Sequence, residues 1–204
     1  MSALIGSTPV DWAEVELSDI CELTPGAAIQ EDPNGSVPVL KPKNLIDGRI
    51  AGPTDMMDAT EAEQHPRYRV RSGDLLCART GTVGKTGLAG DEQDQSIFGS
   101  GLICIRAKDA SLIKPLFLGF YFMHPAVGDW ITRQAGGTSI PNISSRVLGT
   151  LPVIIPPLSV QRAIGQALAS LNDSIDAHRQ ICETTATLRD ALLPLLLSGE
   201  LPTS

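Results

Sequence analysis

The sequence predicts an α+β fold: a β-rich domain with short helices, followed by one long C-terminal coiled-coil helix. Three observations carry this. Up to about residue 110, short apolar runs alternate with Gly and Pro, the punctuation of strands and turns. Between residues 114 and 134 the spacing of apolar and aromatic residues becomes helical. Beyond Pro156 and Pro157 a 4-3 repeat of apolar residues persists almost to the end of the chain. The length of 204 residues suits one domain plus an appendage, so the boundary is placed between residues 1–157 and 158–204.

In the first part, residues 37–40 (VPVL) and 74–79 (DLLCAR) read as short strands. Residues 97–106 are the best strand, because Leu102, Ile103, Cys104 and Ile105 form a short apolar run with β-branched members, as in a strand packed on both faces. Pro115 can open a first helix, and His124-Pro125 should end it and begin a second, since the residue before proline avoids helical dihedrals. Phe117, Phe120, Tyr121 and Phe122 cluster at helical spacing and are read as core. A loop over 135–145 and a strand over 151–155 complete the domain.

In the second part, Ile164, Leu168, Leu171, Ile175, His178 and Cys182 form one seam, and Leu188, Leu192 and Leu195 resume it after a polar turn at Thr184, Thr185 and Thr187. Ser159 is a good N-cap, and Ser198-Gly199 a natural stop beyond Pro194. A helix over 159–193 would be roughly 50 Å long at about 1.5 Å per residue. A stripe of that length cannot all be buried on one small domain. It should project and seek a partner, with Ile164, Leu168, Leu171, Ile175, His178, Leu188 and Leu192 at the interface and a second copy of the chain as occupant.

Hydrophobic residues make up 42% and charged residues 19%, the composition of an ordinary globular chain rather than a disordered or membrane one. The first residues lack a basic, apolar leader, no segment reads as a bilayer span, and the expected location is the cytoplasm. Cys21, Cys77, Cys104 and Cys182 are scattered, so small buried thiols are expected rather than a metal cluster or disulfides. The net charge of -7 argues against a nucleic-acid partner until its distribution is considered. Residues 1–63 hold twelve acids and three bases, whereas residues 64–90 hold Arg67, Arg69, Arg71, Arg79 and Lys85 against Asp74 alone. An acidic chain can still present one basic face.

Residues 79–86 (RTGTVGKT) end like a phosphate-binding loop, but Arg79 stands where that pattern has its first glycine, and the following GLAGDEQDQ is a poor helix. The alternative is a glycine-rich hairpin whose Arg79, Thr80, Thr82 and Lys85 meet a DNA backbone. His65, His124 and His178 each lie beside proline or on the seam, with no nucleophile or carboxylate in a catalytic arrangement, so neither catalytic nor metal-binding residues are assigned.

Taken in order, residues 12–20 (WAEVELSDI), 37–48 (VPVLKPKNLIDG), 72–85 (SGDLLCARTGTVGK), 136–142 (GGTSIPN) and 151–161 (LPVIIPPLSVQ), running into a helix that closes with LLLSGEL, resemble the specificity subunits of Type I restriction-modification systems. Those chains carry two recognition domains and two long helices; this sequence has one of each. It therefore fits a half subunit that dimerises, and a complete subunit or a component of a related phage-defence assembly stay open. The resemblance implies a non-catalytic chain that binds double-stranded DNA. Partner subunits would methylate adenine with S-adenosylmethionine and restrict or translocate with ATP, so no cofactor is expected here. Lys43, Arg67, Arg69, Arg79 and Lys85 suit phosphates, while Asn142 and Arg146 suit base edges. Asn44, Tyr68, Thr80, Thr82, Thr138 and Ser139 complete the candidate DNA-binding set. Two other classes compete: a protein-interaction module built on the coiled coil, and a nucleotide-binding enzyme using Gly81 to Thr86.

Overall fold

A computed structural model of the chain describes residues 12–136 and 140–198. Two compact units can be distinguished, residues 1–165 and 166–204.

The first unit is organised by β10 (Leu102–Ala107), which pairs antiparallel on one edge with β2 (Cys21–Pro25) and on the other with β7 (Leu75–Ala78). β7 turns back into β8 (Thr86–Leu88) with Leu75 opposite Leu88 and Cys77 opposite Thr86. The sheet then runs through β5 (Gly48–Ile50), parallel to β8, to the edge strand β4 (Leu45–Ile46). At Gly87 a Cβ would fall 2.7 Å from the Arg49 carbonyl oxygen, so only glycine allows this approach of β8 to β5.

The period of two sorts the strand residues between two cores. Leu75, Cys77, Ile103 and Ile105 join one cluster with Phe117, Leu118, Tyr121 and Ile131, whereas Leu76, Ala78, Leu102 and Cys104 join the other with Leu40 and Phe98. The helices over the first face are α3 (Pro115–Met123) and α4 (Pro125–Gln134), broken at His124 as the sequence indicates, with the His124 ring nitrogen accepting from Ala126 N at 3.2 Å. A three-stranded sheet, β6 (Asp55–Met57), β3 (Val37–Leu40) and β9 (Ile97–Phe98), packs with α2 (Ala59–Glu63) around a third small cluster. β1 (Ala13–Glu16) leads into α1 (Leu17–Ile20) and pairs with β11 (Pro152–Ile155), just after α5 (Ser145–Gly149), closing the unit by joining its first and last strands.

The expected strand 97–106 is two strands in different sheets. Gly99 to Gly101 turn the chain between them, because Leu102 N bonds back to Gly99 O at 3.1 Å. A partly buried ion pair fixes the neighbourhood of β7: Arg106 Nε donates to the buried Asp74 at 2.7 Å, and Asp74 also accepts from Arg71 N at 2.8 Å. Burial pushes the Cys21 and Cys77 thiols to about 12 and Cys104 higher still, so these are inert core thiols. Cys182 departs from the expectation and is exposed on the helix.

α6 (Leu158–Leu197) is 40 residues, about 60 Å rather than 50 Å. Ser159 lies inside its first turn. The helical ladder starts at the Pro157 carbonyl, which accepts from Val160 N and Gln161 N at 2.9 and 3.0 Å. The threonines at 184–187 do not interrupt the helix, because their hydroxyls satisfy themselves one turn back: Thr185 donates to Ile181 O at 2.7 Å and Thr187 to Glu183 O at 2.9 Å. Pro194 is also accommodated, with Ser198 N bonding to its carbonyl at 2.9 Å. Proline removes one donor close to the helix end and leaves the following bonds intact.

Candidate nucleic-acid interface

The hairpin between β7 and β8 is built by glycines. Gly81 and Gly84 take φ of +70° and +87°, Gly84 N bonds to Ala78 O at 3.1 Å, and Lys85 N to Thr82 O at 3.2 Å. This geometry leaves Thr82 and Lys85 exposed at the tip. The chain continues as β8, not as a helix, so the amide ring and dipole that complete a nucleotide loop do not form at Gly81 to Thr86.

The structure ties a distant segment onto this hairpin. Thr80 and Asn142 form an antiparallel bridge, flanked by Ile143 N bonding to Arg79 O at 2.9 Å and Gly81 N to Pro141 O at 3.2 Å; Asn142 is bridged on its other side to Gly136. Residues 62 positions apart thereby share one surface. Alternation sends Arg79 to the same face as the buried Ile143. Arg79 is accordingly half-buried, and its Nε has no hydrogen-bond partner. Asn142 is exposed on the opposite face, and Arg146, in the helical turn α5 capped by Ser144, is exposed nearby in sequence. A third segment approaches through Gly101, whose carbonyl accepts from Arg79 N at 2.9 Å; a Cβ on Gly101 would lie 2.7 Å from Pro42 Cγ and 3.6 Å from Thr80 Oγ1. The turn bearing Lys43 is thus beside the hairpin, although Lys43 shares Asp55 with Lys41 at 2.8 and 2.9 Å. These lysines hold the Asp55 carboxyl below the usual carboxylate range.

Other expected residues go elsewhere. Asn44 is a structural residue, because its buried amide accepts from Lys41 N at 3.0 Å and donates to Ala51 O and Pro53 O at 3.3 and 3.1 Å. No polar atom of it is left over for DNA. Tyr68 is half-buried between two core clusters and makes a T-shaped contact with Phe98 at 5.8 Å, so it serves at least as a packing residue. Arg69 is engaged with Gln95, its Nη1 donating to the Gln95 carbonyl at 3.3 Å, while Arg67 is exposed. Thr138 and Ser139 lie outside the described residues. Sequence reasoning missed Gly101, which carries no side-chain chemistry and matters through the close approach it admits; the glycine turn at Gly136, legible in the sequence, is bridged to Asn142.

On the helix, Ile164 packs against the first unit's core, so the exposed seam begins at Leu168 and includes Leu171, Ile175 and His178. Leu188 and Leu192 are exposed as well. His178 Nδ1 donates to Ser174 O at 2.7 Å. Gln161, buried in the first turn, anchors the helix start: its amide accepts from Lys114 N at 2.8 Å and donates to Leu112 O and Pro156 O at 3.0 and 2.9 Å. Among the described residues no group of His, Cys, Asp and Glu is arranged to hold a metal, and no helix is long and apolar enough to cross a membrane.

Residues 9–184 match the model of the Type I restriction modification DNA specificity domain. The chain belongs to this family. It is 24% identical over 204 residues to the Type I restriction enzyme MjaVIII specificity subunit of Methanocaldococcus jannaschii, covering 97% of this chain and 48% of that protein. It is 24% identical to the putative MjaX specificity subunit of the same organism, covering 97% and 45%. The DNA specificity domain therefore spans about half the length of the curated relatives it matches. Solved structures agree in fold: the S subunit from M. genitalium aligns with TM-score 0.67 at 16% identity over 97% of this chain and 49% of that one. The HsdS subunit from Thermoanaerobacter tengcongensis aligns with TM-score 0.65 at 22% identity over 96% and 47%.

Proposed function

We propose that this DNA specificity domain works as the sequence-reading subunit of a Type I restriction-modification or related phage-defence system in the cytoplasm. Two copies pair through the α6 seam and direct a partner adenine methyltransferase, and a restriction or translocase subunit, to an interrupted palindromic DNA site. Catalysis, with its S-adenosylmethionine and ATP, belongs to those partners.

The observation that carries this reading is the bridge of Asn142 to Thr80. It sets an exposed amide, unpartnered among the described residues, beside the glycine hairpin in a chain of the DNA specificity family. Lys85 and Thr82 at the hairpin tip, with Arg67 and Arg79, supply the phosphate contacts that position a protein on a duplex; Asn142 and Arg146 supply base-edge chemistry. Mobility shifts of the purified chain with random duplexes at low salt should show binding that weakens steeply as salt rises. An ATP titration should show no saturable binding. Failure to retard any duplex, with ATP binding in its place, would contradict the proposal.

A further inference from the structure

We infer that Thr80, Asn142 and Gly136 form one cross-strand row that sets the target sequence, and that position 136 is where the target can be changed without disturbing the fold. This rests on the DNA-binding function proposed above. The two bridges differ in kind. Around Thr80 and Asn142 the hydrogen bonds are made by the flanking residues, Ile143 N to Arg79 O and Gly81 N to Pro141 O. This is the non-hydrogen-bonded type of pair, in which side chains stand closest, with Cα atoms about 4.5 Å apart. Asn142 and Gly136 instead exchange both bonds themselves, at 2.8 and 2.9 Å, the wider type at about 5.5 Å. The row therefore spans about 10 Å, the rise of roughly three base pairs at about 3.4 Å each.

Directly opposed residues point to the same side of a ladder. On this side Asn142 is exposed and Thr80 half-exposed, and among the described residues neither side chain has a hydrogen-bond partner, whereas Arg79 and Ile143 face the other way. An amide offers a donor and an acceptor together, the pattern that adenine presents in the major groove. A threonine offers a hydroxyl and a methyl, which suit a base edge and the thymine methyl. The third position is empty of side chain. Gly136 is exposed, is not among the glycines with positive φ, and an ideal Cβ there meets nothing within 4 Å among the described residues. A side chain at 136 would thus extend the row at its vacant end. The backbone beneath is stitched at four hydrogen bonds, which holds the reading groups in place before DNA arrives.

The test is selection from a pool of duplexes carrying about twenty randomised base pairs, at one fixed salt concentration, on the full chain and on the Asn142→Ala, Gly136→Asn and Lys85→Ala variants. The native chain should enrich a motif. Asn142→Ala should lose preference at one base pair by about tenfold or more, the worth of a bidentate contact, with affinity for unselected DNA changed less than about twofold. Gly136→Asn should melt like the native chain and enrich a different base at a pair adjacent to the one that Asn142→Ala relaxes. Lys85→Ala should enrich the native motif and bind every sequence more weakly. If Asn142→Ala and Gly136→Asn enrich the native motif unchanged, the row is structural and the inference falls while DNA binding stands. Loss of folding in Gly136→Asn overturns the claim that the position is open. A native chain that enriches no motif removes the DNA-reading function and this inference with it.

Discussion

Leu76 and Leu171 are the same residue type in two kinds of surroundings. Leu76, in the central sheet, is fully buried, whereas Leu171 on the long helix is 60% exposed and Ile181 63%. The sheet obtains its backbone hydrogen bonds from neighbouring strands and covers its side chains in the same act. A helix obtains its backbone bonds from itself, so it can be complete as a helix while its apolar side chains are still uncovered. The two regions therefore differ: the first unit covers its apolar side chains by its own packing, whereas those of the seam are left exposed among the described residues.

The largest effect that could break this contrast is in the core. Phe98→Ala should cost about 3–5 kcal/mol in denaturant unfolding, the range for deleting a buried aromatic, whereas Leu188→Ala should change unfolding of the dilute monomer by less than about 0.5 kcal/mol. Equal losses would mean that the helix side chain is covered within the chain after all.

Next is the seam. Replacing Leu168 or Leu171 by alanine should weaken self-association by about 2–5 kcal/mol, as for other buried large-to-small changes. The double variant Leu168→Asp, Leu171→Asp should sediment as a monomer with the thermal midpoint of the first unit retained. Sedimentation at the native mass would show that these leucines are not the contact.

Smaller again is the charge at the hairpin tip. Lys85→Ala should weaken DNA binding alike on all sequences and reduce the slope of log affinity against log salt by about 1, since one phosphate contact is removed. Arg79→Ala should do the same if its half-buried guanidinium reaches a phosphate. An unchanged slope with a lower melting temperature would make Arg79 a packing residue.

The smallest expected effect is acid sensitivity at the α2 cap. Asp58 accepts from Thr60 N and Glu61 N at 2.8 and 3.1 Å, and these amides hold its carboxyl below the usual range. A depressed folded-state value means that the stabilisation is present above the unfolded value of about 3.9 and fades as pH falls through the folded one. Asp58→Asn keeps an oxygen cap without the titration. Between pH 5 and pH 2 its denaturant midpoint should therefore fall less than that of the native chain; parallel curves would show that the cap carries no linked proton.

The contrast between the regions also explains what could be read from the sequence. The break at His124-Pro125, the β7–β8 hairpin and the body of the long helix are local consequences of proline, glycine and apolar period, although the helix runs past its expected ends. What escaped was decided by distant partners or by how one residue spends its polar atoms. The split of 97–106 depends on which sheets claim its halves, Asn44 is consumed by carbonyls at 51 and 53, and the pairing of Thr80 with Asn142 leaves no trace in either segment. The polar turn at Thr184, Thr185 and Thr187 stays within the expected helix, with the Thr185 and Thr187 hydroxyls bonding back one turn.

In the proposed function one chain type, paired by a two-fold axis through the helix seam, reads the same half-site twice in inverted orientation. Long-read mapping of methylated adenines in a host expressing this chain with its methyltransferase tests it directly. The account predicts a single interrupted palindrome, lost in the Leu168→Asp, Leu171→Asp variant. A bipartite motif with two unrelated halves, specified by this chain alone, would contradict it.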